Sequence, residues 1–328
     1  MDKTVQESMQ IAQTTEMPKP LTQLQETEIK RKQCISRVAT HTLKYLTGEL
    51  VSSGFEWLLP VIFSKTTDPL WPDPNASIEK RIEVEVYGKT VIATQSMIVH
   101  KMVACSLLNP KLFILSPNIR IEKKERANTG THLYEFTQLD FEVRNATSRA
   151  IRCLVEKLLL GLVNSVKSHL DKELKYLGRQ NFLFPKPPFK VYDRRELEKE
   201  YGRNWETCFA REICSPAWVT NIPREFYDFE DPKEHTWDNY DLFLPKYGEV
   251  LSGSRREWEY SKLVEKMRRD HVKHENYETL LKLAREKRLK PSAGAGIGVE
   301  RLVSWLTGTK HVGETQLFPK IPGLVYDL

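Results

Sequence analysis

Two stretches of this 328-residue sequence carry side chains suited to handling a nucleotide. The first is Gly294-Ala295-Gly296-Ile297-Gly298-Val299-Glu300-Arg301-Leu302. No Gly-Lys-Ser/Thr follows it, which excludes a P-loop, and the chain lacks the alternating β-α-β units of a dinucleotide fold. A strand without bulky side chains lets a flat ligand approach its backbone. Arg301, in the first turn of the helix that follows, brings a permanent charge that forks onto phosphate. The bland alternative for Arg301 is a surface ion pair. The second stretch runs from Arg120 to Glu142. His132, Tyr134, Phe136, Gln138 and Asp140 alternate along one strand and so share a face. Leu133, Leu139, Phe141 and Val143 take the other face. A stacking aromatic, a proton-bearing ring and an anion together offer more chemistry than a half-buried strand needs, although a solvated face is the competing reading.

These residues need a frame. Ile35, Val38, Ala39, Leu43, Leu46 and Leu50 recur at helical spacing and predict a helix over 27–53, with Gly54 as its cap. The apolar run 55–63 reads as a buried strand, and Pro60 sends it to an edge or interface. Residues 64–77, with Pro69, Pro72 and Pro74, must be a loop. Alternation predicts a hairpin from 82–87 and 90–95, turned at Gly88. Helices are expected over 97–108 and 151–166, with more between 257 and 286. Strands are expected at 112–115, 134–143, 217–221, 240–244 and 249–251. The glycine-rich strand 293–299 then enters a helix ending near Gly308. Hairpin-ordered strands with helices grouped between them predict an α+β fold around an antiparallel sheet flanked by helices. The expected division is a flexible polar tail over 1–26 and one catalytic domain over 27–328.

The formal charge is +6, from 50 basic and 44 acidic side chains, and it is scattered, so no dedicated nucleic-acid surface is expected. The cysteines form no C-x-x-C pair, which argues against zinc or a disulfide framework and for a reducing compartment. No apolar run approaches the ~20 residues of a membrane span, and the first 25 residues hold no signal core. The expected location is the cytoplasm.

The stretches FEWLLPV with TDPLWPDP, LSPNIRIE, YEFTQLDFEV, NIPREFYD and KPSAGAGIGVERL appear in order. They make residues 35–328 resemble the catalytic core of class II aminoacyl-tRNA synthetases. Within that superfamily the sequence is most similar to the aspartyl/asparaginyl group, and closer still to the archaeal asparagine synthetases, which lack the anticodon-binding domain. The resemblance implies ATP and Mg²⁺ as cofactors. It puts Arg120 on the α-phosphate, Glu122 on the adenine amino group, Phe136 beneath the purine and His132 near the pyrophosphate. Arg301, after Gly298, falls on the far side of the adenine and at the γ-phosphate. Gln95 and Asp140 would hold the α-ammonium of the amino acid. Lys101 and Arg256 would meet its side-chain carboxylate, which favours aspartate over asparagine because an amide would leave two cations unpaired. Asp241 and Glu249 would hold Mg²⁺, with Ser252 beside them. Two departures stand out: Met97 and Ile98 replace a usual Pro and Gln, and Thr131 replaces an arginine.

The acceptor separates the remaining readings. An anticodon-reading barrel of five strands does not fit in 26 polar residues, which weakens tRNA without excluding it. Ammonia is the expected acceptor, giving L-asparagine from L-aspartate through a β-aspartyl-adenylate. The pose stays open, because the same two cations could hold the α-carboxylate instead. Residue 2 is Asp, so no N-terminal cysteine serves glutamine hydrolysis and free ammonium is the donor. Its proton needs a base; Asp68 is the candidate, against a plain turn-forming role before Pro69. A tRNA-charging enzyme and a non-catalytic regulatory subunit remain as alternatives. The resemblance also implies a homodimer, built on the first helix and the strand containing Pro60.

Overall fold

The structure is a computed structural model that describes residues 17–66, 78–181 and 186–327. Helix α1 (Glu26–Ser52) forms where the apolar spacing places it. Gln25 and Glu28 close a capping box at its start, satisfying two otherwise orphaned amides. Ile35, Val38, Leu46 and Leu50 point inward and are fully buried. Of the expected tail, residues 1–16 lie outside the described residues. Met17 and Leu324 pack against the same buried cluster, and the Pro18 carbonyl accepts a bond from Tyr326 Oη at 2.9 Å, so this end is tied to the C-terminal segment.

Eight strands build the main sheet: β1 (Glu56–Leu58), β2 (Lys111–Ile119), β3 (Glu135–Arg144), β4 (Lys190–Asp193), β5 (Ala217–Thr220), β6 (Asn239–Leu244), β7 (Gly248–Arg255) and β8 (Ser292–Gly298). Their spatial order is β1-β2-β3-β8-β7-β6-β5-β4. Every neighbouring pair is antiparallel except the two at the rims, β1 with β2 and β4 with β5. The fold is therefore α+β, as expected. Beneath the sheet lie α1 and α3 (Ser148–His169), whose Ile151, Val155, Leu158, Leu162 and Val166 share one buried stripe with Phe141, Leu139 and Ile297. Burying one such side chain stabilises by roughly 1.5–3 kcal/mol. Helix α2 (Ile98–Leu107) supports β2 and β3, and α6 (Tyr260–Arg269) with α7 (Glu278–Arg285) forms a second core around Phe226 and Tyr277. Helix α8 (Val299–Thr307) follows β8 directly. Among the described residues no helix is long and apolar enough to cross a membrane.

Some expectations change. The run 55–63 is not one strand: Glu56–Leu58 joins the main sheet and Phe63 begins a short strand paired with the hairpin, and the run is not buried, with Trp57 51% exposed and Leu59, just past β1, 87%. Strand β1 holds a sheet edge, a position whose free backbone groups can pair with another chain. The hairpin 82–95 forms as expected, pairing Glu83–Val86 with Lys89–Ala93. Strands β2 and β7 run further than the apolar pattern marks, because Ser116 and Asn118 of β2 are buried and Glu249 and Ser252 of β7 face a cavity rather than bulk solvent. The elements β4, α4 (Arg194–Tyr201) and α5 (Trp205–Glu212) emerge from a stretch whose turn signals hid them.

Candidate active site

Strand β8 lies between β3 and β7, and close packing requires its Gly294 and Gly296. A Cβ on Gly294 would collide with the Glu142 carboxylate and the Phe141 carbonyl. A Cβ on Gly298 meets only ordinary contacts at 3.7 Å, so this glycine keeps the cavity wall low rather than relieving a clash. Phe136 and Gln138 of β3 join Gly296 and Gly298 of β8 and Glu249 of β7 around one cavity. The alternation read from sequence thus holds for Phe136, Gln138 and Asp140. His132 precedes the strand and reaches the cavity from the loop, while Tyr134 does not line it.

Charged groups close this cavity. Arg120 Nε donates to the Gln95 carbonyl at 3.1 Å, and its guanidinium lies 5.1 Å from the Phe136 ring centre, a cation–π distance. Glu122 is buried, with an Oε 3.9 Å from His132 Nε2. Burial, then the nearby Arg301, Arg126 and Arg120 cations, push the His132 ring down to about 2, so it is neutral. Arg301 donates from Nε to the Thr131 carbonyl at 3.1 Å and from Nη1 to the Glu249 carbonyl at 2.8 Å. Its helix is clamped: both Glu300 carboxylate oxygens accept the Thr137 amide at 3.0 Å, tying α8 to β3. Two guanidinium groups and a flat aromatic around a side-chain-poor strand are suited to a nucleotide and its phosphates.

A second cavity shares Arg120, Gln138, Glu249 and Gly296 with the first. Lys101, Asp140, Ser252 and Arg256 line it. Lys101 Nζ donates to Asp140 Oδ1 at 2.8 Å and to the Ala295 carbonyl at 3.1 Å. Arg256 donates to Asp228 Oδ1 at 2.7 Å, Ser254 Oγ at 2.6 Å, Glu142 Oε1 at 3.3 Å and the Gly294 carbonyl at 3.3 Å. Each cation therefore already has carboxylate partners, which the sequence did not disclose. A lysine has three N–H donors and an arginine five, so each retains one for a ligand oxygen. Asp140 Oδ2 is buried and accepts no hydrogen bond among the described residues. That oxygen is suited to a cationic nitrogen.

Glu249 and Ser252 lie three positions apart, and a regular strand would send them to opposite faces. The ladder slips between Leu242 and Phe243, pairing Leu251 with Leu242 but Glu249 with Phe243. Val250 is the extra residue of this bulge, and it turns Glu249 into the face of Ser252. Asp241 pairs with Ser252 across the ladder but lines neither cavity. Its carboxylate contacts Arg224, and its Oδ1 is buried without a hydrogen-bond partner among the described residues. Burial holds the Asp241 carboxyl above the usual range; Arg224 opposes this and Glu249 reinforces it. A buried acidic oxygen with no donor, next to a second carboxylate, fits a divalent cation.

Gln95 is buried behind Arg120 and is not on either cavity wall. Asp68 lies outside the described residues. Arg224, Glu225 and Asp228 line the second cavity and had not been singled out, although NIPREFYD brackets them. Glu142, two residues beyond Asp140 on the same face, had also been passed over.

Residues 76–322 match the model of the family described as tRNA synthetases class II (D, K and N). The chain belongs to this family. It is thus an ATP-using, ligase-type enzyme with a class II synthetase catalytic core. The fold is similar to that of asparaginyl-tRNA synthetase from Pyrococcus horikoshii complexed with asparaginyl-adenylate, at a TM-score of 0.80 and 24% identity, over 95% of this chain and 76% of that one. Asparaginyl-tRNA synthetase from Entamoeba histolytica in complex with asparaginyl-adenylate gives 0.78 at 20% identity, over 90% and 68%. Aspartyl tRNA synthetase from Entamoeba histolytica gives 0.70 at 20%, over 89% and 59%. At these identities the likeness is one of fold, and class II (D, K and N) membership rests on the family match.

Proposed function

We propose that this enzyme makes L-asparagine from L-aspartate, ATP and ammonia, releasing AMP and pyrophosphate. The observation that carries the reading is the seam between the cavities, where Arg120 borders both. A carboxylate in one cavity and an α-phosphorus in the other would meet beside its guanidinium. In the first step a substrate carboxylate oxygen attacks the α-phosphorus and the bond to pyrophosphate breaks. Arg120 and Arg301 stabilise the charge that spreads over the phosphoryl oxygens. Asp241 and Glu249 would hold Mg²⁺, which commonly takes one or two carboxylates plus phosphate oxygens and neutralises their charge. In the second step ammonia attacks the activated carbon, and the carbon–oxygen bond to AMP breaks with its electron pair.

Lys101 and Arg256 each offer a remaining donor to the carboxylate that does not react, which supports aspartate as substrate. The acidic wall of Asp140, Glu225 and Asp228 supports a cationic nitrogen nearby. Ammonium must lose a proton before attack. Asp68 remains the proposed base. Glu225 is a second candidate on the cavity wall, its carboxyl held above the usual range by burial, opposed by Arg224 and reinforced by Asp228.

Charging of tRNA is the second reading, favoured by the three fold neighbours named above, which are synthetases for asparagine or aspartate. The nucleophile would then be a terminal ribose hydroxyl. Product analysis with ATP, Mg²⁺ and aspartate, with and without ammonium and with and without tRNA, separates the two. Asparagine formed with ammonium alone supports the proposal. Aminoacyl-tRNA without free asparagine rejects it, and no AMP under any condition rejects both readings.

A further inference from the structure

A groove of about 1000 Å³ runs between α1, the turn at Lys246 and the segment 308–314. It meets the nucleotide cavity at Thr131, Arg301 and Val312, which line both. Six cations border it, Lys19, Arg31, Lys32, Lys246, Arg301 and Lys310, against only Glu28 and Glu314. The two acids are already engaged, Glu28 with Lys19 at 2.9 Å and Glu314 with Arg31 at 3.4 Å. Lys32 is buried, and its ammonium is held by the backbone carbonyls of Gly313, Glu314 and Gln316 rather than by a carboxylate. Lys246 and Lys310 make no ion pair or side-chain hydrogen bond among the described residues. Lys246 does not hang on a loose loop: its backbone adopts φ 69°, and its amide is fixed to the Ala210 carbonyl at 2.7 Å.

An uncompensated cluster of cations repels itself unless an anion comes to it. The charge calls for an anionic ligand, and Arg301 lines both the groove and the nucleotide cavity. We propose that the groove is a binding site for inorganic pyrophosphate, which it receives from the nucleotide cavity across Arg301. Lys246 and Lys310 take the phosphate oxygens as exposed point charges, and Arg301 offers its fork from the shared wall. The site rests on the adenylate-forming reading, because that reaction generates pyrophosphate beside Arg301.

Binding of pyrophosphate to the full chain, measured by titration calorimetry without other substrates, tests the site. The double variant Lys246→Asn, Lys310→Gln removes both charges, and asparagine tolerates the positive φ at 246. Its affinity is expected to fall about tenfold, with a shallower salt dependence than the parent. AMP, which has no phosphate beyond its first, is expected to bind parent and variant alike. Unchanged pyrophosphate affinity overturns the proposal, as does an equal loss of AMP affinity, which would mean that the nucleotide cavity had been disturbed. A variant that loses a short RNA but keeps pyrophosphate also overturns it. Failure of the adenylate reading would show separately, as no AMP release from ATP and aspartate, and leaves this binding measurement intact.

Discussion

Lys101 Nζ and Asp140 Oδ1 lie 2.8 Å apart, and neither side chain is more than 4% exposed. The pair joins two elements that already pack together: α2 supplies the lysine and β3 the aspartate. Removing one member of a buried pair leaves the other charged and desolvated, at about 3–5 kcal/mol. Lys101→Met is expected to lose roughly that much in urea unfolding. Adding Asp140→Leu should restore at least half of the loss, while aspartate-dependent AMP release stays absent. If Lys101→Met instead unfolds like the parent, the pair is not the strut described.

Arg301 offers a test of phosphate handling. Its Nε and Nη1 hold two different carbonyls, those of Thr131 and Glu249, which fixes the plane of the guanidinium. Arg301→Ala should lower kcat/KM for ATP by about 10²–10³-fold, the usual scale for losing a group that meets developing charge. Arg301→Lys should recover little, since an ammonium cannot span both carbonyls. Full turnover in either variant would remove Arg301 from the reaction.

The glycines of β8 separate folding from binding. At Gly298 an added Cβ meets Arg301 and Val250 atoms at 3.7 Å on a backbone with φ −69°, which alanine adopts freely. Gly298→Ala should fold normally and raise KM for ATP about tenfold, the scale of one methyl in a fitted pocket. Gly294→Ala should instead lower stability, because its Cβ collides with Glu142 and Phe141. Measured melting temperatures that show no difference between the two variants would contradict this geometry.

Acid sensitivity has a traceable source in His132. Its ordinary value of 6.5 applies in the unfolded chain, whereas in the folded protein burial and the nearby arginines push it to about 2. As pH falls below 6.5 the unfolded chain takes up a proton that the folded one does not, so stability is lost. The slope is about 1.4 kcal/mol per pH unit for one such group. Chemical denaturation from pH 7 to 5 should show that increment in the parent and its absence in His132→Gln. Equal slopes would place the ring in a less desolvated setting than described.

The homodimer that the resemblance implies would be built on α1 and on the exposed rim of β1 leading to Pro60. Trp57 and Leu59 of this edge are 51% and 87% exposed in the single chain, and a second copy would cover them. Trp57→Glu with Leu59→Glu should shift sedimentation from dimer to monomer at micromolar concentration. A parent that is already monomeric would refute the arrangement.

How legible the protein was in its sequence depended on which force fixed each residue. Strict alternation made β3 readable, and with it Phe136, Gln138 and Asp140 on one face. Helical spacing did the same for α1 and α3, whose ends fall within a few residues of expectation. The shared face of Glu249 and Ser252 was not readable, because a bulge at Val250 answers to the twist of the sheet and leaves no compositional mark. The partners of Lys101 and Arg256 were missed because they arrive from distant segments. Asp228 and Glu142 appear as charges in unremarkable places until the fold brings them within reach. The run 55–63 misled for the opposite reason, since apolar character marks what can be covered without saying by what.

Strand β8 presents peptide groups, not side chains, to the middle of the nucleotide cavity. Point mutation exchanges side chains and, proline aside, leaves every amide and carbonyl in place. The groups on this strand that would lie against ATP are the same whatever residue stands there so long as it stays small, whereas the adjoining wall of lysine, arginine and carboxylates can be rewritten one codon at a time. A chain built this way can inherit its energy source intact and change what it joins.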